Sequence, residues 1–221
     1  MTKLKLGTPN QKINFGLYGV IACGILALWQ GWWVLHPPSL HQVSYDRLAA
    51  FLRGDTRQMY SQSFDYERRV CPMTDAQLDR LSREFFHPKL ALVAKSEITG
   101  HDYSQMQGQV VQNSNLTLTN GRKIEFITVA YRTLEGPRAS FFSALLDAWY
   151  IEYLGNHKRT AVSTSLARID SWLEGIDRDG TLLTELGLPG YVGSAQDPVI
   201  IPWREYREKL MRLRDETLKS Q

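Results

Sequence analysis

Cysteine is scarce in this chain, with two in 221 residues, Cys23 and Cys71, which excludes a small scaffold stapled by disulfides. An excess of either charge is also missing. Lys and Arg total 26 against 23 Asp and Glu, and a net charge of +3 is too small for a protein whose main work is gripping phosphate backbones. No nucleic-acid partner is therefore expected. Gly (16) and Pro (9) are near ordinary levels and aromatic residues make up 11%, so collagen-like and disordered classes fall as well. The chain has no G-x-S-x-G, no P-loop, no G-x-G-x-x-G and no H-E-x-x-H. No two of His36, His41, His87, His101 and His157 stand at i,i+4 with a carboxylate, the spacing a helical metal site needs. Ser163, Thr164, Ser165 and Ser194 have no base nearby in sequence, so a triad could only be assembled by folding. The expectation is a non-enzyme with no cofactor and no metal.

What is present begins with a run from Asn14 to Leu35 that holds no charged side chain, with Asn14 and Gln30 its only strongly polar members. At about 1.5 Å per residue it is long enough to cross roughly 30 Å of hydrocarbon. Trp29, Trp32 and Trp33 gather at its far end, where rings favour the headgroup layer, and His36-Pro37-Pro38 stops the helix. Lys3, Lys5 and Lys12 precede the run, and no Lys or Arg occurs from His36 to Tyr45. The positive-inside bias then predicts a cytoplasmic tail over 1–13, a transmembrane helix over 14–35 and a domain outside the cytoplasm over 39–221. A cleaved signal peptide fits poorly, because the apolar run is long and ends in Trp-Trp-Val-Leu-His-Pro-Pro. Val20-Ile21-Ala22-Cys23 resembles a lipobox, but cutting there would strand a dozen mostly apolar residues beside the lipid. A buried soluble helix is disfavoured by the length and the Trp belt.

The outer part reads as one α+β domain with an antiparallel sheet covered by helices. Ser44 is expected to cap a helix to Arg53 with Tyr45, Leu48 and Leu52 on one face and Gly54 closing it. Thr74 and Gln77 form a capping box for a helix carrying Leu78, Leu81 and Phe85 that should stop at His87-Pro88. A strand is expected from Leu90 to Ile98. A hairpin follows, with the three-residue loop Thr119 to Gly121, Gly121 at positive φ, and Leu116 facing Ile124. Its second strand, Lys123 to Arg132, is apolar on both faces and should be central. Pro137 suits the first turn of a helix from Arg138 to Leu154, ended by Gly155, whose stripe of Phe141, Phe142, Leu145, Leu146, Trp149, Tyr150 and Tyr153 would cover the sheet. A further helix is predicted from Thr164 to Gly175, then an extended loop from Leu186 to Pro202. The chain closes with an amphipathic helix over 203–219, whose stripe of Trp203, Tyr206, Leu210 and Leu213 must be buried by something, either a partner or its own domain.

Other clusters carry less. Asp170, Glu174, Asp177, Asp179 and Glu185 read as a solvated helix end, since a calcium loop would place Gly175 and Leu186 at liganding positions. Cys71 lies near Arg68 and Arg69, which could lower its pKa, although a lone cysteine beside Pro72 is more often a packed small residue. His36 and His41, at the membrane exit, read as hydrated rather than as haem or pigment ligands.

The span is the most telling feature. Gly19, Cys23, Ala27 and Gly31 recur every four residues on one face, a small-residue ladder that admits a neighbouring helix, and Gln30 beside it offers an interhelical hydrogen bond. The function expected is a non-catalytic accessory or scaffold subunit of a larger membrane-embedded complex. Its partners would be other membrane-protein subunits and the bilayer, and its place the inner membrane with the domain in the periplasm. A short tail, one span and an outer α+β domain is a layout similar to scaffold subunits of bacterial secretion and conjugation machines, an architectural likeness only. The alternatives are a membrane-tethered enzyme acting on envelope polymers or peptides, marked by paired carboxylates or histidines in a cleft, and a ligand-binding or sensory domain, marked by a deep apolar pocket.

Overall fold

The computed structural model describes residues 39–104, 108–157, 163–193 and 198–220. The expected span over 14–35 and its ladder, Gly19, Cys23, Ala27, Gln30 and Gly31, lie outside the described residues. Among those described, no helix is long and apolar enough to cross a membrane.

Helix α1 (Leu40–Arg53) starts four residues before the expected cap, and Ser44 is buried within it. The cause is the apolar repeat, which reaches back through Val43 to Leu40, and these two pack on Val110 and Ala130 of the sheet. The buried face is consequently rotated: Phe51 is in the core and Tyr45 is 37% exposed. Gly54 does close the helix, at φ +65°, where any other residue would be strained. Two short helices follow, α2 (Thr56–Ser61) and α3 (Asp65–Val70).

Helix α4 (Asp75–Leu81) begins with the expected capping box: Gln77 N–H donates to Thr74 Oγ1 at 3.3 Å, and Thr74 N–H to Gln77 Oε1 at 2.8 Å. It does not stop at His87. One wide π-helical turn, Ser82–Phe86, carries the chain into α5 (His87–Leu90), with Pro88 in the first turn, where a missing N–H costs little.

Leu90 therefore belongs to α5, and the first strand, β1 (Val93–Ser104), begins after it. With β2 (Gln109–Leu118), β3 (Lys123–Thr133) and the short β4 (Gly136–Arg138) it forms an antiparallel sheet in the order β1-β2-β3-β4. The hairpin matches expectation. Leu116 pairs with Ile124, Gly121 sits at φ +82°, and Gly121 N–H donates to Leu118 O at 2.9 Å. β3 is internal to the sheet, but only one of its faces is covered: Ile124, Phe126, Thr128 and Ala130 are buried, whereas Ile127 is 46% exposed.

Pro137 lies in β4 rather than in a helix. The long helix α6 (Phe141–Asn156) starts later, capped by Ser140, whose hydroxyl accepts from Ser143 N–H at 3.2 Å. The helix ends within one residue of the expected Gly155, and Asn120 Nδ2 donates to the terminal carbonyls of Leu154 at 3.0 Å and Gly155 at 2.8 Å. The sheet is covered by α1, whose Phe51 stacks on Phe126 at 5.1 Å between centroids. α6 is buried on several sides and packs between α5 and the next helix, α7 (Thr164–Glu185). A helix apolar nearly all round belongs inside, which its wide stripe already signalled.

α7 continues ten residues beyond the expected stop at Gly175, because that glycine receives the indole of Trp149. The expected loop contains a two-stranded ribbon, β5 (Gly190–Gly193) with β6 (Pro198–Ile201). The closing helix, α8 (Trp203–Lys219), has the expected bounds and packs on α7 and β5.

Candidate functional site

Two buried charges, Glu67 and Arg47, hold together the elements around a cleft that Arg47 also lines. Glu67 of α3, 1% exposed, reaches the N-terminus of α6, where it accepts from Ser140 Oγ at 2.6 Å, Phe141 N–H at 2.8 Å and Phe142 N–H at 3.4 Å. A carboxylate suits this place, since the orphan N–H groups and the helix dipole both favour a negative charge. Burial pushes the Glu67 pKa up despite those bonds. Arg47 of α1, 3% exposed, donates to Met59 O at 2.8 Å and to Ser140 O. Burial lowers its pKa to about 10.

The cleft above them has a volume of about 270 Å³. Phe51 and Arg47 come from α1, Phe126 through Val129 from β3, Ser140, Ser143, Ala144 and Asp147 from one face of α6, and Arg168 from α7. Asp147 stands 3.7 Å from Arg168, whose guanidinium lies 4.3 Å from the centre of the Tyr150 ring. The cleft walls desolvate the Asp147 carboxyl and push its pKa up to about 6, against the pull of Arg168 and Arg47. It accepts no hydrogen bond from a described residue. Thr128, only 8% exposed, also lines the cleft, and its hydroxyl is unpartnered. Behind it, Gln112 Nε2, Ser114 Oγ and Ser44 Oγ are likewise buried without partners, a polar seam between α1 and the sheet. Unsatisfied buried polar atoms are uncommon in folded chains, and these four lie together.

Of the residues predicted to meet a partner on α8, Trp203, Tyr206 and Leu210 lie in the domain's own core at 6%, 6% and 3% exposure. Leu213, at 45%, is open. The acidic cluster is not a merely solvated helix end. Asp170 pairs with Arg214 at 2.6 Å, Asp177 with Arg207 at 2.5 Å, Glu185 with Arg80 at 3.0 Å, and Glu174 lies 3.6 Å from His157. Asp179 accepts from Trp149 Nε1 at 2.8 Å and pairs with the buried Lys89 at 2.9 Å. Cys71 is 2% exposed, and burial raises its pKa to about 11, so the neighbouring arginines do not activate it. Among the described residues no three His, Cys, Asp or Glu side chains gather as metal ligands.

Arg47, Thr128 and Asp147 were not singled out by sequence. The one available signal was Asp147, an acid inside an otherwise apolar helical stripe. Comparison with protein-family models, with curated proteins and with solved structures finds no match to this chain.

Proposed function

We propose that the chain is a non-catalytic accessory subunit of a larger membrane-embedded complex. In this reading a helix over 14–35 holds it in the inner membrane with its amino terminus in the cytoplasm. The α+β domain then meets a partner subunit on the periplasmic side. The observation that carries the reading is the cleft beside β3, lined by Arg47, Thr128, Asp147 and Arg168, in which Asp147 meets Arg168 at 3.7 Å and makes no hydrogen bond to a described residue. The test is a carbonate wash of native membranes followed by purification of the full chain in mild detergent. A chain that stays in the pellet and elutes with other subunits at a fixed ratio supports the proposal; one that washes off, or elutes alone, opposes it.

One observation favours a membrane-tethered enzyme as a second reading: the Asp147 carboxyl, held near pH 6, lies one helical turn from Ser143. Turnover of an envelope polymer or peptide that is lost in Asp147→Asn would select it.

A further inference from the structure

Helix α1 and strand β3 run in opposite directions. Phe51 stacks on Phe126, whereas Val43, earlier in the helix, packs with Ala130, later in the strand. The helical stretch from Val43 to Phe51 and the extended one from Phe126 to Ala130 each span ~12–13 Å, so the two elements stay level along their length. Leu40, the first residue of α1, therefore lies at about the height of Tyr131. β3 continues beyond it to Thr133, which pairs with Gly136 of β4. The turn between them, Leu134 and Glu135, projects ~10 Å past the start of the helix.

The chain enters α1 at this same end of the sheet. From Leu35, the last residue of the expected span, to Leu40 the connection can reach ~17 Å at full extension. The apolar edge of the bilayer can then stand no farther than that from Leu40. The turn covers more than half of the distance, and the remainder, ~7 Å, is the depth of one headgroup layer.

The surface of the turn suits such a place. Leu134 is fully exposed. A lone exposed leucine is ordinary, but this one borders a hollow of about 390 Å³ lined by Phe64, Tyr66 and Tyr131 and by Arg69, Arg132 and Arg138. Phe64 lies 5.5 Å from Tyr66 and 5.6 Å from Tyr131 between ring centres. Asp65 and Glu135 also line the hollow, but Asp65 is paired with Arg68, so three arginines face one remaining acid. Guanidinium groups bind phosphate, tyrosine rings favour the headgroup layer, and an aliphatic side chain among them can enter the acyl boundary.

We propose that the β3–β4 turn is a second membrane contact, in which Leu134 enters the headgroup layer of the bilayer that holds the span while Arg69, Arg132 and Arg138 take the phosphate of an anionic phospholipid. The inference rests on the accessory-subunit reading for the span alone and needs no partner subunit. A tether at Leu40 and a docked turn together fix the tilt of the domain, with the Gly121 loop, at the other end of the sheet, pointing away from the bilayer.

The test uses the full chain carrying Cys23→Ala and Leu134→Cys, labelled natively with an environment-sensitive fluorophore; Cys71 is buried and stays unlabelled. The chain is placed without partners in nanodiscs of phosphatidylcholine, alone or mixed with phosphatidylglycerol. A label at Lys95→Cys, exposed at the opposite end of the sheet, is the reference. The label at 134 should be quenched by a nitroxide on the lipid headgroup and shielded from a water-borne quencher, and the label at 95 should behave in the reverse way. Phosphatidylglycerol should strengthen this contrast and high salt should weaken it. Arg69→Gln with Arg132→Gln should shift the turn back towards water by about fivefold per arginine removed. Lipid composition and salt read the same dependence if that variant does not fold.

Four results overturn the proposal. They are a label at 134 as open to water as the one at 95, lipid quenching equal at both positions, lipid quenching indifferent to phosphatidylglycerol, salt and the arginines, and a turn that is open to water in nanodiscs but shielded in native membranes. The last would give the turn to a partner subunit. A chain that resists carbonate yet leaves the label in water fails this inference alone. One that docks its turn yet recovers no partner from membranes fails the accessory reading alone.

Discussion

Trp149 and Gly175 are matched to each other: a Cβ built on Gly175 would lie 2.2 Å from Cδ2 of the Trp149 indole, closer than real Cβ atoms come. Trp149 is 1% exposed, hydrogen-bonded to Asp179, and edge-on to both Phe85 and Trp203. The indole has no free direction in which to yield. The absent side chain at 175 is thus what lets α6 and α7 close on each other.

Gly175→Ala should consequently destabilise the domain by about 1–3 kcal/mol, the usual cost of overpacking. On a free helix surface the same change would instead stabilise by about 1 kcal/mol. Urea unfolding decides between the signs, and in a Trp149→Ala background the alanine should lose most of its penalty.

The closing helix is part of the core. Trp203 Nε1 donates to Leu188 O at 2.6 Å, and its ring meets Trp149 at 5.4 Å and Tyr206 at 5.7 Å. Trp203→Ala should cost about 3–5 kcal/mol. Removing residues 203–221 should unfold the domain, as read by loss of near-UV circular dichroism. A truncated domain that melts as the parent does would return the stripe to a partner-facing role.

Asp147 should set part of the pH dependence. With its carboxyl at about pKa 6 in the folded chain and in the ordinary carboxylate range when unfolded, the native state holds the extra proton between those values. Stability then falls as pH rises from about 4 to 6. Asp147→Asn should flatten that slope and be more stable at pH 7 by about 3 kcal/mol. Some slope should persist, since burial raises Glu67 in the same direction. The check is denaturant unfolding at a series of pH values.

Cys71 should react slowly with iodoacetamide in the native chain. It is buried, its thiol donates to Gly187 O at 3.2 Å, and its pKa stands at about 11. Peptide mapping, which separates it from Cys23, should show labelling only under denaturing conditions. Fast native labelling would mean that the α3–α4 junction opens.

Local chemistry was legible in the sequence where a few neighbouring residues decide the outcome. The Thr74 and Gln77 capping box, the Gly121 loop with Leu116 opposite Ile124, and the bounds of α8 are cases of this kind. The misreadings share one cause. Gly175 looks like a helix end by its own propensity, yet it is required by a side chain distant in sequence, Trp149. Pro137 reads as a helix start until Tyr131 to Thr133 are known to pair with it and its neighbours. The cleft was hidden for the same reason. Arg47, Thr128, Asp147 and Arg168 come from four different elements, and neither the burial that perturbs Asp147 nor the loss of partners at Thr128 exists before those elements pack.

The most direct measurement is partner recovery from mild detergent extracts of the full chain, comparing two faces of the expected span. Ala27→Leu with Gly31→Leu fills the small-residue ladder, while Ile21→Leu with Ile25→Leu alters the opposite face; neither change reduces apolarity, so insertion is preserved. Gln30→Leu should have a smaller effect, since hydrogen bonds between membrane helices average only about 0.6 kcal/mol. The proposal predicts that partners are recovered with the parent and with the isoleucine variant, and are lost with the ladder variant. Equal recovery from both would reduce the span to a tether, and recovery of the chain alone in every case would contradict an accessory subunit.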